Sequence, residues 1–371
     1  MNMNKELMKN IALLGIALVC SLLVAEVLLR IMYPQNSYFE EYSPLIGEIN
    51  TPFMKGWSIS PNGEYKIPVE MNKDGFRDKN HDFEKKEGVV RIAFVGDSFT
   101  EGKQVLFEET FHQRIEKILN GKVEVMSFGS GGFGTCEELA LYRNYVRKYD
   151  PNVVVLMFLT INDFLDNYAV FEKHTDRFTC NFEKDKVVYV PPPPNKMHDF
   201  LRPFYKSSHL IRFFYRLKSL HKEDPSLVPP AFEVYYDEYS PQFEESVNVT
   251  KRILREIRKE VEQDGASFLL VTLTNPEQVE EDLFEKKKEQ LPILKEKITN
   301  TEKADELLFS FAQQEKMSIV QLVYPFKEYK KEHPQIRLHY PLDGHWNAQG
   351  HALVAELLSE EIQQQYLEEK D

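Results

Sequence analysis

Ser98 stands just after the apolar run Ile92 to Val95, inside the tetrapeptide Gly96-Asp97-Ser98-Phe99. A serine hydroxyl becomes an acyl-transfer nucleophile when a base lies within hydrogen-bond reach and a carboxylate fixes the tautomer of that base. The stretch Asp343-Gly344-His345-Trp346-Asn347, far along the chain, carries both groups. His345 is the candidate base and Asp343 its orienter. Residues two apart point to opposite sides of a helix, so this pairing requires a loop at 343–346. Pro341 favours one, and Asn347 has the residue type expected at the N-cap of a helix over 348–358. His351 falls inside that helix and reads as a surface or packing histidine.

Acyl transfer also needs donors aimed at the oxyanion. Two further apolar runs end in residues of the right type. After Val123 to Met126 comes Phe128-Gly129-Ser130-Gly131-Gly132-Phe133-Gly134-Thr135, where glycines let backbone N–H groups approach a ligand closely. After Val153 to Leu159 comes Thr160-Ile161-Asn162-Asp163, where the Asn162 amide is a candidate donor. Taken singly, each block is also an ordinary turn, and the glycine loop equally fits a nucleotide-binding turn.

The elements that must position these blocks are short buried strands. Apolar runs at 92–95, 123–126, 153–159, 268–273 and 319–323 alternate with stretches of helical period such as 110–119 and 246–262. That alternation predicts a parallel sheet with helices on both faces, whose ligands bind at the carboxyl ends of the strands. Residues 34–88, rich in Pro, Gly and aromatics, predict an extended or β-rich lead-in to a domain over 89–371. The stretch from about 168 to 240 departs from the alternation. It holds a possible hairpin around Asp185 and an aromatic helix from His209 to Leu217, expected either to form a lid or partner surface beside the site or to pack on the core.

The N-terminal residues 10–32 are apolar over a length that matches a hydrocarbon core at about 1.5 Å per residue. Lys5 and Lys9 precede this segment, which places residues 1–9 in the cytoplasm and the bulk of the chain outside. No small-x-small cleavage site follows, so the expectation is an uncleaved single-pass anchor, with Glu26 pairing to Arg30 near its outer end. The formal charge of -13 argues against a nucleic-acid partner. Three cysteines, Cys20, Cys136 and Cys180, are too few for a disulfide framework or a zinc site, with a Cys136–Cys180 bridge as the less favoured reading. No metal-ligand spacing is present, and serine acyl transfer needs no cofactor.

Taken together, the four blocks resemble the SGNH hydrolases, or GDSL lipases and esterases, in their membrane-anchored bacterial branch. The resemblance covers most of residues 89–167 and 340–358. It implies a flavodoxin-like three-layer α/β/α sandwich, with Ser98 as nucleophile and His345 as base. It implies an oxyanion hole formed by Ser98, Gly132 and Asn162. Two positions depart from the family pattern: Thr160 replaces the usual glycine two residues before Asn162, and Leu342 occupies the usual aspartate position three before His345, leaving Asp343 as orienter. The implied activity is a cell-surface serine esterase acting on an ester or acylated-carbohydrate substrate. The alternatives are an O-acyltransferase using the same acyl-enzyme and a catalytically silent binding or assembly protein.

Overall fold

A computed structural model describes residues 2–167, 178–183, 186–190, 196–219 and 229–368. The chain falls into two compact units. One holds the N-terminal residues through Tyr38 together with residues 196–219, and the other holds the remaining described residues.

In the larger unit the lead-in forms two antiparallel hairpins. β1 (Glu40–Ser43) pairs with β2 (Gly47–Asn50), and β3 (Lys55–Ile59) pairs with β4 (Lys66–Glu70). The central sheet contains β5 (Val90–Gly96), β6 (Val123–Gly129), β7 (Val153–Leu159), β10 (Ser267–Leu273) and β11 (Ser318–Gln321), while β8 (Thr179–Glu183) and β9 (Lys186–Val190) form a separate antiparallel pair. The five central strands are parallel, in the order β11-β10-β7-β5-β6. The fifth apolar run ends earlier than expected, because Val323 already opens a helix.

Successive strand residues point to opposite faces, and both faces are buried. Ala93, Val95, Val154, Leu156 and Leu270 pack on one side, while Ile92, Phe94, Val155, Met157 and Val271 pack on the other. Helices cover both layers, as the alternation of runs requires.

Chain order explains where the site lies. From β5 the chain steps to β6 on one side and then returns to β7 on the other, so the switch in direction falls at β5. Crevices open at the carboxyl ends of strands where such a switch occurs. Gly96, Gly129 and Met157 share one register level across β6, β5 and β7, and the three predicted blocks follow these strands.

Helix α1 (Asn2–Met32) belongs to the smaller unit, with α4 (Lys196–Ser207) and α5 (His209–Ser219). Its stretch Lys5–Met32 is long and apolar enough to cross a membrane. Glu26 and Arg30 pair on α1 at 2.7 Å, as their spacing predicts. The Glu26 carboxylate also accepts from Ser208 Oγ (2.9 Å), His209 N (2.9 Å) and Leu210 N (2.8 Å), so a side chain of α1 caps the first turn of α5.

The larger unit carries a disulfide between Cys136, at the start of α3 (Thr135–Asn144), and Cys180 in β8. Counting cysteines had made this pairing the less favoured one. The two lie 44 residues apart, and only the return of β8 onto α3 brings their Cα atoms to 5.7 Å. Of the 168–240 stretch, residues 168–177, 184–185, 191–195 and 220–228 lie outside the described residues.

Candidate active site

Strand β5 ends at Gly96, and Asp97 turns the chain into a single helical turn, Ser98–Glu101. The Asp97 carboxylate accepts from Phe99 N at 2.9 Å, which fixes the N-terminus of that turn. Gly102 closes it with φ 64°, and its N–H donates to Ser98 O at 2.9 Å. Ser98 is thus held between two caps at the carboxyl end of an interior strand.

The candidate base, His345, comes from a loop. Tyr340 N donates to His345 O at 2.8 Å and Gly344 N to Tyr340 O at 3.0 Å, closing a tight turn around Asp343. Gly344 sits at φ 89°, a conformation that favours glycine, so the neighbouring aspartate and histidine side chains can meet. They do: Asp343 Oδ1 lies 2.6 Å from His345 Nδ1, and Ser98 Oγ lies 2.7 Å from His345 Nε2. The helix Ala348–Ile362 follows, with the Asn347 side chain accepting from Gln349 N and Gly350 N. Between them Trp346 is fully buried and donates to Thr274 Oγ1 at 2.9 Å, anchoring the residue next to the base. His351 is buried, accepts from Phe111 N at 3.2 Å and stacks on the Phe111 ring, a packing histidine.

The glycine block passes close behind Ser98. A Cβ on Gly129 would fall 2.2 Å from Glu101 N, so only glycine allows that approach. Gly132 lies at φ 80° in the same loop, and a Cβ built on Gly131 would be 3.8 Å from Ser98 Cβ. Asn162 occupies the N-cap position of the short helix Asp163–Asp166 after β7, and its side chain is among the groups that pull the Asp97 carboxyl down.

Burial and partners set the charges here. Burial raises the Asp343 carboxyl, but hydrogen bonds from His345 and Tyr65 outweigh it and hold the group below its usual value. Burial pushes Asp97 up to about 6, against the pull of the Phe99 N–H, His345 and Asn162. Burial and neighbouring carboxylates drive Glu138 and Asp163 well above the ordinary range.

No protein-family model and no curated protein sequence matches the chain. Solved structures similar to it include an acetyl xylan esterase, AlAXEase, at 13% identity and a TM-score of 0.41, covering 74% of this chain and 100% of that one. Another is an acetylxylan esterase from Geobacillus stearothermophilus, Axe2 carrying a catalytic mutation, at 15% identity and 0.39, covering 75% and 96%. A lipolytic G-D-S-L family protein from Veillonella parvula DSM 2008 is similar at 11% identity and 0.38, covering 75% and 99%. The chemistry of this chain rests on its own residues.

Several of those residues escaped the reading of the sequence. Tyr65 donates to Asp343 Oδ2 at 2.8 Å, and the Glu64 carboxylate accepts from Leu342 N (3.0 Å) and Asp343 N (2.8 Å). Both sit in the turn between β3 and β4, so the lead-in reaches the base loop directly. On the other side Glu101, 2% exposed, accepts from Gly131 N at 3.1 Å, from Asn50 Nδ2 at 2.7 Å and from Lys103 Nζ at 2.9 Å. Arg77 donates to Val105 O at 2.6 Å and also to Gly102 O, bracing the end of the nucleophile turn. For Asn50, Glu64, Tyr65 and Arg77 the signal in the sequence was the density of polar and aromatic residues in the segment 34–88, read as an extended or β-rich lead-in.

Proposed function

We propose that this protein is a membrane-anchored serine esterase whose site faces away from the cytoplasm and removes acyl groups, acetyl among them, from carbohydrate. The observation that carries the reading is the continuous relay from Ser98 Oγ through His345 to Asp343. An ionised Asp343 accepts the Nδ1–H of His345, which leaves the lone pair of Nε2 facing Ser98.

From there the steps follow. His345 takes the hydroxyl proton as Ser98 Oγ attacks the ester carbonyl carbon. The resulting oxyanion lies against the N–H groups of Ser98 and Gly132 and the Asn162 amide. Protonated His345 then gives its proton to the departing alkoxide, and a sugar alcohol leaves. Water, losing a proton to His345, attacks the acyl-enzyme; the acid departs and Ser98 regains its proton.

Two features support a site outside the cytoplasm. Lys5 and Lys9 precede the apolar stretch of α1, and loops that stay inside carry such charges. The Cys136–Cys180 disulfide suits an oxidising compartment.

The test is hydrolysis of acetyl, butyryl and long-chain aryl esters by the full chain in detergent, beside its Ser98→Ala variant. Ser98→Ala is expected to lose on the order of 10⁴ to 10⁶-fold in turnover. Equal rates for the two proteins would end the serine mechanism.

A further inference from the structure

The aromatic segment 196–219 is not used by this chemistry. Its helices α4 and α5 meet through Tyr205 and Tyr215, whose rings lie 5.6 Å apart edge to face. The pair is tied to α1 by the Glu26 cap on α5, by Arg30 donating to Ser207 O at 2.6 Å, and by Gln35 N donating to His209 Nδ1 at 3.0 Å. These ties fall within two turns of Met32, the outer end of α1.

Away from those ties the helices leave large side chains in the open. Phe200 and Phe204 on α4 are 67% and 48% exposed, and Phe214 and Tyr215 on α5 are 59% and 62% exposed. Phe200 and Phe204 stand one helical turn apart with rings 5.9 Å apart, so they share one face. A soluble surface seldom carries so dense a set of exposed rings. The same segment reverses the charge of the chain. In a protein of net charge -13, residues 196–219 hold Arg202, Lys206, Arg212 and Arg216 among their cations against the single acid Asp199.

We propose that α4 and α5 form an interfacial hairpin, lying in the headgroup layer of an anionic leaflet at the outer end of α1. The inference rests on α1 spanning the bilayer. Helices that lie in an interface combine a basic polar face with Phe, Tyr and Leu on the other, buried some 5–10 Å below the headgroups. Aromatic rings concentrate at that depth, and cations there are drawn to an anionic surface. The Glu26 cap fits the same position. A carboxylate near the edge of the hydrocarbon needs donors, and the first turn of α5, with Ser208 and Arg30, supplies them. Glu26 therefore sets the height of the hairpin on the anchor.

Tryptophan quenching by brominated lipids tests this on the full chain in phosphatidylcholine–phosphatidylglycerol vesicles. Phe204→Trp and Phe214→Trp report on the hairpin, Leu18→Trp on the middle of α1, and the wild type, with Trp57 and Trp346, gives the background. The hairpin variants are expected to be quenched more by lipids brominated near the headgroup than by those brominated near the chain end, and Leu18→Trp the reverse. If Leu18→Trp is quenched while neither hairpin variant rises above background, the anchor stands and the interfacial hairpin is overturned. Absence of quenching at Leu18→Trp removes the anchor and the hairpin assignment with it. Undiminished shallow quenching in vesicles of phosphatidylcholine alone overturns the choice of an anionic leaflet.

Discussion

Ser98 lies between a half-buried carboxylate, Asp343, and a group of fully buried ones, and the two sides differ in their partners as well as in their burial. On the base side, Asp343 receives hydrogen bonds from His345 and Tyr65, and its carboxyl is held low and ionised. On the side of the proposed oxyanion donors, Asp97, Glu138 and Asp163 are fully buried, and all three are pushed up. Among the described residues, both oxygens of Glu138, Oδ2 of Asp97 and Oδ1 of Asp163 have no hydrogen-bond partner. Burial alone raises a carboxyl, and only donors aimed at its oxygens reverse the sign. Ser98 thus faces an ionised carboxylate through His345 on one side, while the acids behind its N-cap on the other have carboxyls that burial pushes up.

Breaking the base side should produce the larger effect. Asp343→Asn removes the acceptor that fixes the His345 tautomer, and turnover of an aryl acetate is expected to fall on the order of 10⁴-fold. Tyr65→Phe removes one charge-assisted hydrogen bond to the same carboxylate, so the loss should be far smaller, roughly tenfold. Comparing the kcat of the two variants reads the hierarchy directly. A Tyr65→Phe loss as large as that of Asp343→Asn would make the tyrosine part of the proton relay.

On the oxyanion side, Asn162→Ala is expected to lower kcat by roughly 10² to 10³-fold with little change in KM, because an oxyanion donor acts mainly in the transition state. A rise in KM at constant kcat would instead assign Asn162 to substrate binding. Asn162→Asp replaces the amide by a carboxyl beside the buried Asp97 and should be at least as damaging as alanine.

What could be read in advance divides along the same line. The blocks at Ser98, Gly132 and Asn162 were legible because each follows a buried strand, and sheet order then brings the three strand ends together. The Asp343–His345 loop was legible from the Pro341 and Asn347 punctuation, and the turn at Gly344 allows the two-residue spacing to work. Tyr65, Glu64, Asn50 and Glu101 were not, because their roles depend on contacts across the chain that no local period encodes. The Cys136–Cys180 bond was underweighted for the same reason. Glu26 was correctly paired with Arg30, but its larger set of donors comes from a segment more than 180 residues away.

The smallest effect expected concerns stability and tests the oxyanion side alone. Glu138 is buried, lies near Asp97, Glu137 and Asp166, and is held protonated well above its ordinary range. When a carboxyl has a higher pKa folded than unfolded, the native state binds the extra proton. Its contribution is fully present below the unfolded value and declines as pH rises toward the folded one. Glu138→Gln keeps the shape and removes that titration. The variant should match the wild type near pH 4.5 and exceed it increasingly toward pH 8.5, by about 1 kcal/mol or more, since one pKa unit corresponds to roughly 1.4 kcal/mol. Thermal unfolding followed by circular dichroism across that range gives the comparison. A difference independent of pH would mean that Glu138 is ionised in the folded protein, and the contrast with Asp343 would then rest on Asp97 and Asp163 alone.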